Sequence, residues 1–197
     1  MQVIFNCALA DTCSLSTGTG GALTRRRARA MLATFLPDFQ TWEDTLKHPE
    51  LVLALLDEAY EKRTWHGPNL KQSIRGVTAK QAAWRPGRGR HNIWELTLHA
   101  AYWKYAVRRR LEGGKRGSFA LKGSNFFARP ERGKASESAW RADQKLLEME
   151  HRALRGAVAK ILATPQARKE IRRIYGVALH DIYHAGQIRL LRRLKAR

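Results

Sequence analysis

The feature that most constrains the fold is a pair of histidines, His180 and His184, one helical turn apart. An α-helix places residues i and i+4 on one face, and Val177, Ile188 and Leu191 make the rest of this face apolar. The pattern therefore predicts a helix whose two imidazoles point into a core. Buried imidazoles need polar partners, and a metal ion is one of the few partners that satisfies two together.

Capping and breaking signals predict that most of the remaining chain is helical. The predicted helices cover residues 49–63, 70–74, 79–84, 93–112, 138–163 and 168–195. Asn69, Thr78 and Asn92 are suitable N-caps, and Glu95 is placed to complete a capping box with Asn92. No convincing strand pattern occurs. Four long helices predict an all-α fold, an antiparallel four-helix bundle. Its long connection, residues 114–138, contains a Phe-Phe pair expected to fold back on the bundle.

Residues 1–36 differ from the rest of the chain. They contain Ser, Thr and Gly clusters, a single acidic residue and an Arg-rich cluster at 25–29. The positive charge follows the mildly apolar start, which is the reverse of a secretory signal. We expect a disordered leader, or a non-native one with Met31 as the true start. Residues 37–197 are then the bundle domain.

Cysteine usage restricts the chemistry of this bundle. Cys7 and Cys13 are the only cysteines, and both lie in the leader. A disulfide framework, a thiolate nucleophile and a Cys-rich zinc site are therefore excluded from the bundle. No apolar run approaches the roughly 20 residues that cross a membrane. These features fit a cytoplasmic protein without a membrane partner.

The charge is strongly basic, with 37 Lys and Arg against 17 Asp and Glu and a formal net charge of +20. Such an excess favours nucleic acid or acidic lipid as a partner. However, arginine is also a good helix former, and cations near helix C-termini complement the helix dipole. A basic binding module with a structural metal is the alternative function. Nucleic-acid binding is not expected beyond non-specific charge attraction.

A third histidine completes a candidate metal site. His99 lies in the middle of the predicted helix 93–112, beside Leu96 and Trp103, and is expected to face inward. Together with His180 and His184 it forms a His₃ set, which leaves a coordination position open for water or substrate, as in catalytic zinc sites. Zinc, nickel, iron and manganese all suit such ligands.

The His180–His184 spacing is also that of zinc proteases. Those enzymes carry Glu where this chain has Asp181, and they commonly have a third ligand downstream. After His184 the chain has neither His nor Asp, and no Glu follows Glu170. A protease is therefore not expected. Asp181 is instead predicted to lie beside the metal-facing side and to bond to a neighbouring helix or to water.

Other residues are weaker candidates for the site. His66, in a Gly-Pro turn, could line the pocket mouth and handle protons. Glu95 lies one turn before His99 and could orient it as a hydrogen-bonding carboxylate, or serve only in the capping box. Tyr183 and Gln187 are candidate substrate contacts. Three further histidines are interpreted as surface residues: His48, His91 and His151.

Two segments carry a resemblance to a known family. Around His99 the chain reads Ile-Trp-Glu-Leu-Thr-Leu-His-Ala-Ala-Tyr-Trp-Lys, and around the histidine pair it reads Gly-Val-Ala-Leu-His-Asp-Ile-Tyr-His-Ala-Gly-Gln-Ile. Both resemble the DinB/YfiT-like superfamily of metal-binding four-helix bundles. The resemblance covers about residues 49–194. It implies the DinB-type helix order, with a long connection between the second and third long helices.

The resemblance also implies ligands and chemistry. The family's metal ligands carry over to His99, His180 and His184. Characterised relatives include S-transferases and isomerases that use low-molecular-weight thiols such as bacillithiol or mycothiol, and many others are assigned only as metal-dependent hydrolases. Members often form dimers. We therefore expect an enzyme with a divalent metal ion, a small-molecule substrate, a thiol cofactor in the transferase case, and a homodimer.

Overall fold

The computed structural model describes residues 48–130 and 135–196, which form six α-helices and no strand. We number the helices in chain order. They are α1 (Pro49–Tyr60), α2 (Leu70–Ile74), α3 (Ala79–Ala83), α4 (Ile93–Leu111), α5 (Glu137–Leu162) and α6 (Ala167–Lys195). The all-α prediction is confirmed. The expected leader, and its boundary with the bundle at residue 36, lie outside the described residues. No described helix is both long and apolar enough to cross a membrane.

Side-chain caps set where several helices begin. Asn69 and Thr78 each accept a hydrogen bond from the N–H three residues later, and each forms a full capping box. Asn92 Oδ1 accepts a hydrogen bond from Glu95 N at 2.8 Å. The carboxylate of Glu95 is engaged elsewhere, so the reciprocal half of the capping box predicted there does not form.

The fifth helix begins at Glu137 rather than at the predicted Ser138. Ser136 is its N-cap, and its Oγ accepts a hydrogen bond from Ala139 N at 3.2 Å. This start places Glu137 in the first turn, where its carboxylate accepts a hydrogen bond from Ala79 N at 2.7 Å. One side chain therefore satisfies a free N–H at the start of α3.

The relative directions of the long helices follow from contacts between their side chains. Trp94 Nε1 donates to Asp143 at 2.7 Å, and ten residues further along α4 Lys104 Nζ lies 3.3 Å from His151 Nδ1. From the first contact to the second, the residue numbers rise in both helices, so α4 and α5 run parallel. The prediction of a wholly antiparallel bundle is wrong in this respect.

The other two helices run opposite to this pair. Arg155 of α5 pairs with Asp57 of α1, whereas His151, one turn earlier, stacks on Tyr60 at 3.9 Å, so α1 is antiparallel to α5. α6 is antiparallel to α4, as the site below shows. Because α4 and α5 are parallel, the chain that leaves the end of α4 must travel back along the length of that helix before α5 begins. The distance is roughly 28 Å, the length of a 19-residue helix. That return explains why residues 112–136 form such a long connection.

Two indole groups anchor the apolar core near the N-terminal ends of α4 and α5. Trp94 and Trp140 are almost completely buried and pack with ring centroids 5.2 Å apart. Each also satisfies its N–H, Trp94 through Asp143 and Trp140 through the Val77 carbonyl, which Nε1 contacts at 2.7 Å. Buried tryptophans are stable only with such partners. The two residues therefore tie α4, α5 and the segment before α3 together.

The Asp57–Arg155 ion pair tests the placement of α1 against α5. A double-mutant cycle with Asp57→Asn and Arg155→Gln should give a coupling of about 1 kcal/mol in the free energy of unfolding, because the contact is bidentate. The control is Glu148–Arg152, an i,i+4 pair within α5, for which we expect about 0.3 kcal/mol. Equal couplings in urea denaturation would contradict the arrangement.

Candidate metal centre

Three imidazoles converge where α4 and α6 cross. His99 Nε2 lies 3.1 Å from His180 Nε2, and His184 Nε2 lies 3.0 Å from the same atom. All three possible ligand atoms lie within 4.8 Å of one another. The ring of His99 lies 4.8 Å from that of His184, whereas the ring of Trp103, one turn further along α4, lies 6.1 Å from that of His180, one turn earlier along α6. The two helices are therefore antiparallel here.

The outer nitrogens of two of these rings are held by acceptors. His99 Nδ1 lies 2.9 Å from the backbone oxygen of Asn125, and His184 Nδ1 lies 2.7 Å from Gln187 Oε1. Since both partner oxygens only accept, each Nδ1 carries the ring proton. The Nε2 atoms of His99 and His184 consequently present lone pairs toward His180. Gln187 is itself oriented, because its Nε2 donates to Tyr183 Oη at 3.1 Å.

Burial keeps the three rings neutral. It lowers the pKa of His99 to about 4, with His184 adding to the effect, and lowers the pKa of His184 to about 4 against the opposing hydrogen bond to Gln187. It lowers the pKa of His180 to about 2, assisted by the other two histidines and Lys104. Neutral imidazoles are the form that binds metal.

The donor set fits a divalent ion. Three nitrogens that share at most one proton cannot satisfy one another by hydrogen bonding, whereas a cation accepts all three lone pairs. His180 Nδ1 is buried and has no hydrogen-bond partner among the described residues. The ring of His180 is therefore the least satisfied of the three without an ion. These buried histidines could bind a metal ion and leave a coordination position open.

The long connection between α4 and α5 supplies one wall of the site. Asn125 has a left-handed backbone, with φ 65°, which asparagine tolerates better than most residues. This conformation aims its carbonyl at His99, while its Oδ1 accepts a hydrogen bond from Trp103 Nε1 at 3.1 Å. Phe126 then stacks between His99 at 4.0 Å and His91 at 3.8 Å. The predicted return of the Phe-Phe segment onto the bundle is confirmed.

Glu95 supports this wall rather than His99 directly. Its buried carboxylate accepts hydrogen bonds from Arg85 at 2.9 Å, from His91 Nδ1 at 3.0 Å and from Arg129 N at 3.3 Å. Burial opposes its ionisation, but these hydrogen bonds outweigh burial and lower the pKa of Glu95. The proton on His99 Nδ1 points to Asn125, so the structure does not place Glu95 as the carboxylate that orients the ligand.

A buried ion pair lies behind the histidines. Lys104 of α4 donates to Asp181, the residue after His180, and both side chains are completely buried. This confirms that Asp181 bonds to a neighbouring helix. Burial raises the pKa of Asp181 to about 6, against the opposing effect of Lys104. The Lys104 ammonium also contacts His151, which is 1% exposed, so the interpretation of His151 as a surface residue is wrong.

The structure does not bring His66 to the three histidines. His66 is exposed and lines a shallow pocket with Ile182, Gly186 and Arg189 of α6. Ile182 and Gly186 each lie two residues after a metal-facing histidine, about 200° around the helix. His66 therefore faces the opposite side of α6.

Several residues around the site were not found from the sequence. Asn125 acts through a backbone oxygen, which no side-chain motif reveals. Lys104 and His151 lie 47 residues apart in the chain, so their buried contact has no sequence signal. Gln187 was named only as a candidate substrate contact, and the sequence did not reveal that its Oε1 lies 2.7 Å from His184 Nδ1. The one available signal was the Phe-Phe pair beside Asn125 in the long connection.

The fold and the histidine cluster define an α-helical bundle with a candidate metal centre. A family model described as the DinB superfamily matches residues 62–188. The match covers more than half of the chain and includes all three converging histidines, so the chain belongs to the DinB superfamily. This membership confirms the resemblance carried by the two histidine segments. No curated protein and no solved structure matches the chain.

His151 provides a test of the buried polar cluster that does not involve the candidate ligands. Burial, with repulsion from Lys104 and Arg155, lowers the pKa of His151 to about 2. Below the ordinary histidine pKa of about 6.5 the unfolded chain takes up a proton that the folded protein excludes, so the free energy of unfolding falls as pH falls. Between pH 5.5 and 4.5, His151→Phe should reduce this slope by about 1.4 kcal/mol per pH unit.

Urea denaturation of metal-free protein at several pH values measures this slope. The phenylalanine keeps an aromatic ring stacked against Tyr60. Loss of the contact with Lys104 changes the free energy of unfolding at every pH, but it does not change how steeply that free energy varies with pH. The control is His48→Gln at an exposed histidine, which should leave the slope unchanged. Equal slopes for His151→Phe and the unsubstituted protein would show that His151 is protonated in the folded state.

Proposed function

We propose that this protein is a metal-dependent S-transferase that joins a low-molecular-weight thiol to a small electrophilic substrate. His99, His180 and His184 hold the divalent ion, and the open coordination position receives the thiol. The observation that carries the proposal is the convergence of three neutral imidazoles, with the Nε2 atoms of His99 and His184 each about 3 Å from that of His180. Membership of the DinB superfamily supports the metal site.

The roles of the chain's own residues follow from their contacts. When bound, a divalent ion lowers the pKa of a thiol or water at the open position, so that the nucleophile forms near neutral pH. Asn125 and Gln187 hold two ligand rings with their lone pairs inward. Phe126 stacks on the ring of His99 and Trp103 packs edge-on against it, so both help to fix the orientation of that ring. The sulfur then bonds to an electrophilic carbon, the leaving group departs with its electron pair, and the thiol proton passes to water.

The acidic residues near the ligands favour transfer over hydrolysis. Hydrolases commonly use a carboxylate base to manage the protons of water and of the leaving group. Here Glu95 is held by Arg85 and His91, and Asp181 is held by Lys104. Neither carboxylate is free to act as a base. A thiol needs less help because its proton is lost more readily than that of water. A metal-dependent hydrolase is the second candidate.

A basic binding module with a structural metal is the alternative from another class, favoured by the net charge of +20. Part of that charge has local structural uses. Arg108 pairs with Glu112 and Glu150, and Arg192 donates to the backbone oxygens of Ser73 and Arg75. We therefore expect duplex DNA to bind weakly and without sequence preference, and to be released at moderate salt. Homodimer formation and a cytoplasmic location remain predictions.

The ligand set predicts the outcome of elemental analysis. The full-length protein reconstituted with zinc, nickel or manganese should hold about one ion per chain, the stoichiometry of a three-ligand site. Single substitutions His99→Gln, His180→Gln and His184→Gln should each reduce the metal content well below this, and His48→Gln should not. Circular dichroism checks that the variants remain helical. Absence of stoichiometric metal in the unsubstituted protein would overturn the proposal.

Transfer and hydrolysis can be separated with two chromogenic reactions. With a small thiol and 1-chloro-2,4-dinitrobenzene, the metal-loaded protein should accelerate thioether formation with release of chloride. It should show little activity on p-nitrophenyl acetate without thiol. His184→Gln should reduce the first rate by at least about tenfold, because one of three ligands is lost. Metal-dependent ester hydrolysis without thiol-transfer activity would favour the hydrolase instead.

A further inference from the structure

A groove of about 340 Å³ leads away from the candidate metal centre between α4 and α6. His180 lines one end of it together with Trp103. Because the two helices are antiparallel, residues that follow Trp103 along α4 face residues that precede His180 along α6. The groove therefore has a defined direction, from the histidines toward the end of α4.

The chemistry of the groove changes along its length. Beyond His180, Val107 and Val177 form an apolar middle section. At the far end lie two guanidinium groups, those of Arg110 on α4 and Arg173 on α6. Arg173 lies seven residues before His180, which corresponds to about 10 Å along the helix. A molecule that fills the groove thus meets His180 of the candidate metal centre, an apolar wall and a cationic end in that order.

The cationic end is available to an anion. The guanidinium of Arg110 is exposed and makes no hydrogen bond or ion pair with the described residues. Arg173 Nη1 donates to Glu170 at 2.7 Å, which leaves its other donors for a ligand. None of the groove-lining residues is acidic. Two arginines that line one groove are well suited to a carboxylate, which accepts paired hydrogen bonds from arginine.

A glycine keeps the middle of the groove open. Gly176 lies within α6 and lines the groove, and a Cβ added there would meet nothing within 4 Å. Close packing of the helices therefore does not require glycine at this position. Glycine within a helix is less favourable than most other residues, so its presence costs stability without a packing benefit. The space that it leaves is usable by a ligand.

We propose that the thiol received at the three histidines is a small organic acid whose carboxylate is held by Arg110 and Arg173. Its reactive atom lies at the metal centre, its apolar middle lies against Val107 and Val177, and its carboxylate lies about 10 Å from the reacting end. This inference rests on the proposed function, since the histidine end of the groove is the catalytic end. Arg110 and Arg173 are substrate-binding residues that set specificity.

Calorimetric titrations with probes of matched length test the inference. The full-length, zinc-loaded protein is titrated with 8-mercaptooctanoate and with 8-mercapto-1-octanol, which differ only in the carboxylate. The acid should bind at least about tenfold more tightly, the effect expected of charge-assisted hydrogen bonds. 4-Mercaptobutanoate is too short to reach from the histidines to the arginines and should lose most of that advantage.

Substitutions locate the carboxylate. Arg110→Gln with Arg173→Gln should abolish the preference for the acid, whereas the control Arg172→Gln, at an exposed arginine next to Arg173 that does not line the groove, should retain it. Gly176→Leu should fill the groove and weaken both long probes at least about tenfold. It should also raise the melting temperature, because leucine favours the helix. This combination separates a blocked groove from a damaged fold.

The outcomes distinguish this inference from the proposed function. If the protein takes up no zinc, the proposed function fails, and metal-free protein titrated with octanoate and octanol still reports on the arginines. A preference for octanoate that disappears in the double arginine variant then supports the anion site alone. If zinc is bound but both mercapto probes bind equally, or if the double variant keeps the preference, the groove does not bind the carboxylate and the inference is wrong.

Discussion

The whole site depends on one arrangement, in which the Nε2 atoms of His99 and His184 each approach that of His180 to about 3 Å at the crossing of α4 and α6. Burial keeps all three rings neutral, and acceptors on two of them turn the lone pairs inward. Such an arrangement is poorly satisfied by the protein alone and well satisfied by a cation. Other features of the fold serve to hold these rings in place.

The parallel direction of α4 and α5 is the main feature that holds the three imidazole rings in place. It requires the connection between α4 and α5 to return along the bundle, and the described part of that connection, up to residue 130, passes the histidines. Asn125 and Phe126 then contact His99 from a connection that an antiparallel hairpin would not provide. Glu95 fixes the same segment through Arg129 and His91. Behind the site, the Lys104–Asp181 pair holds α4 and α6 in register beside His180.

Much of the fold could be predicted from the sequence because its signals are local. Asn69, Thr78 and Asn92 begin their helices where capping chemistry places them, and the three histidines are placed by helical periodicity. Helix direction is not a local property, so the parallel pair was missed. The contacts of Asn125 and His151 join residues far apart in the chain. Their roles follow from tertiary packing rather than residue type.

His66 shows that a suitable residue type is not enough to identify a functional residue. A histidine in a Gly-Pro turn has the chemistry of a proton carrier, but function also requires proximity, and His66 lies on the far face of α6. Arg110 and Arg173 show the converse, because each has a local explanation in its own helix. Arg110 lies in the last turn of α4, where cations complement the helix dipole, and Arg173 pairs with Glu170 one turn earlier in α6. Only the antiparallel contact of α4 and α6 brings these two arginines to one end of a groove that begins at His180.

X-ray absorption spectroscopy at the zinc edge tests the central claim most directly, because it counts the imidazoles bound to one ion. For the full-length protein loaded with one equivalent of zinc, we expect the multiple-scattering signature of three imidazoles together with one lighter oxygen or added-thiol ligand. A spectrum with only one or two imidazoles, or one dominated by oxygen ligands as for zinc held at surface carboxylates, would contradict a shared site at His99, His180 and His184.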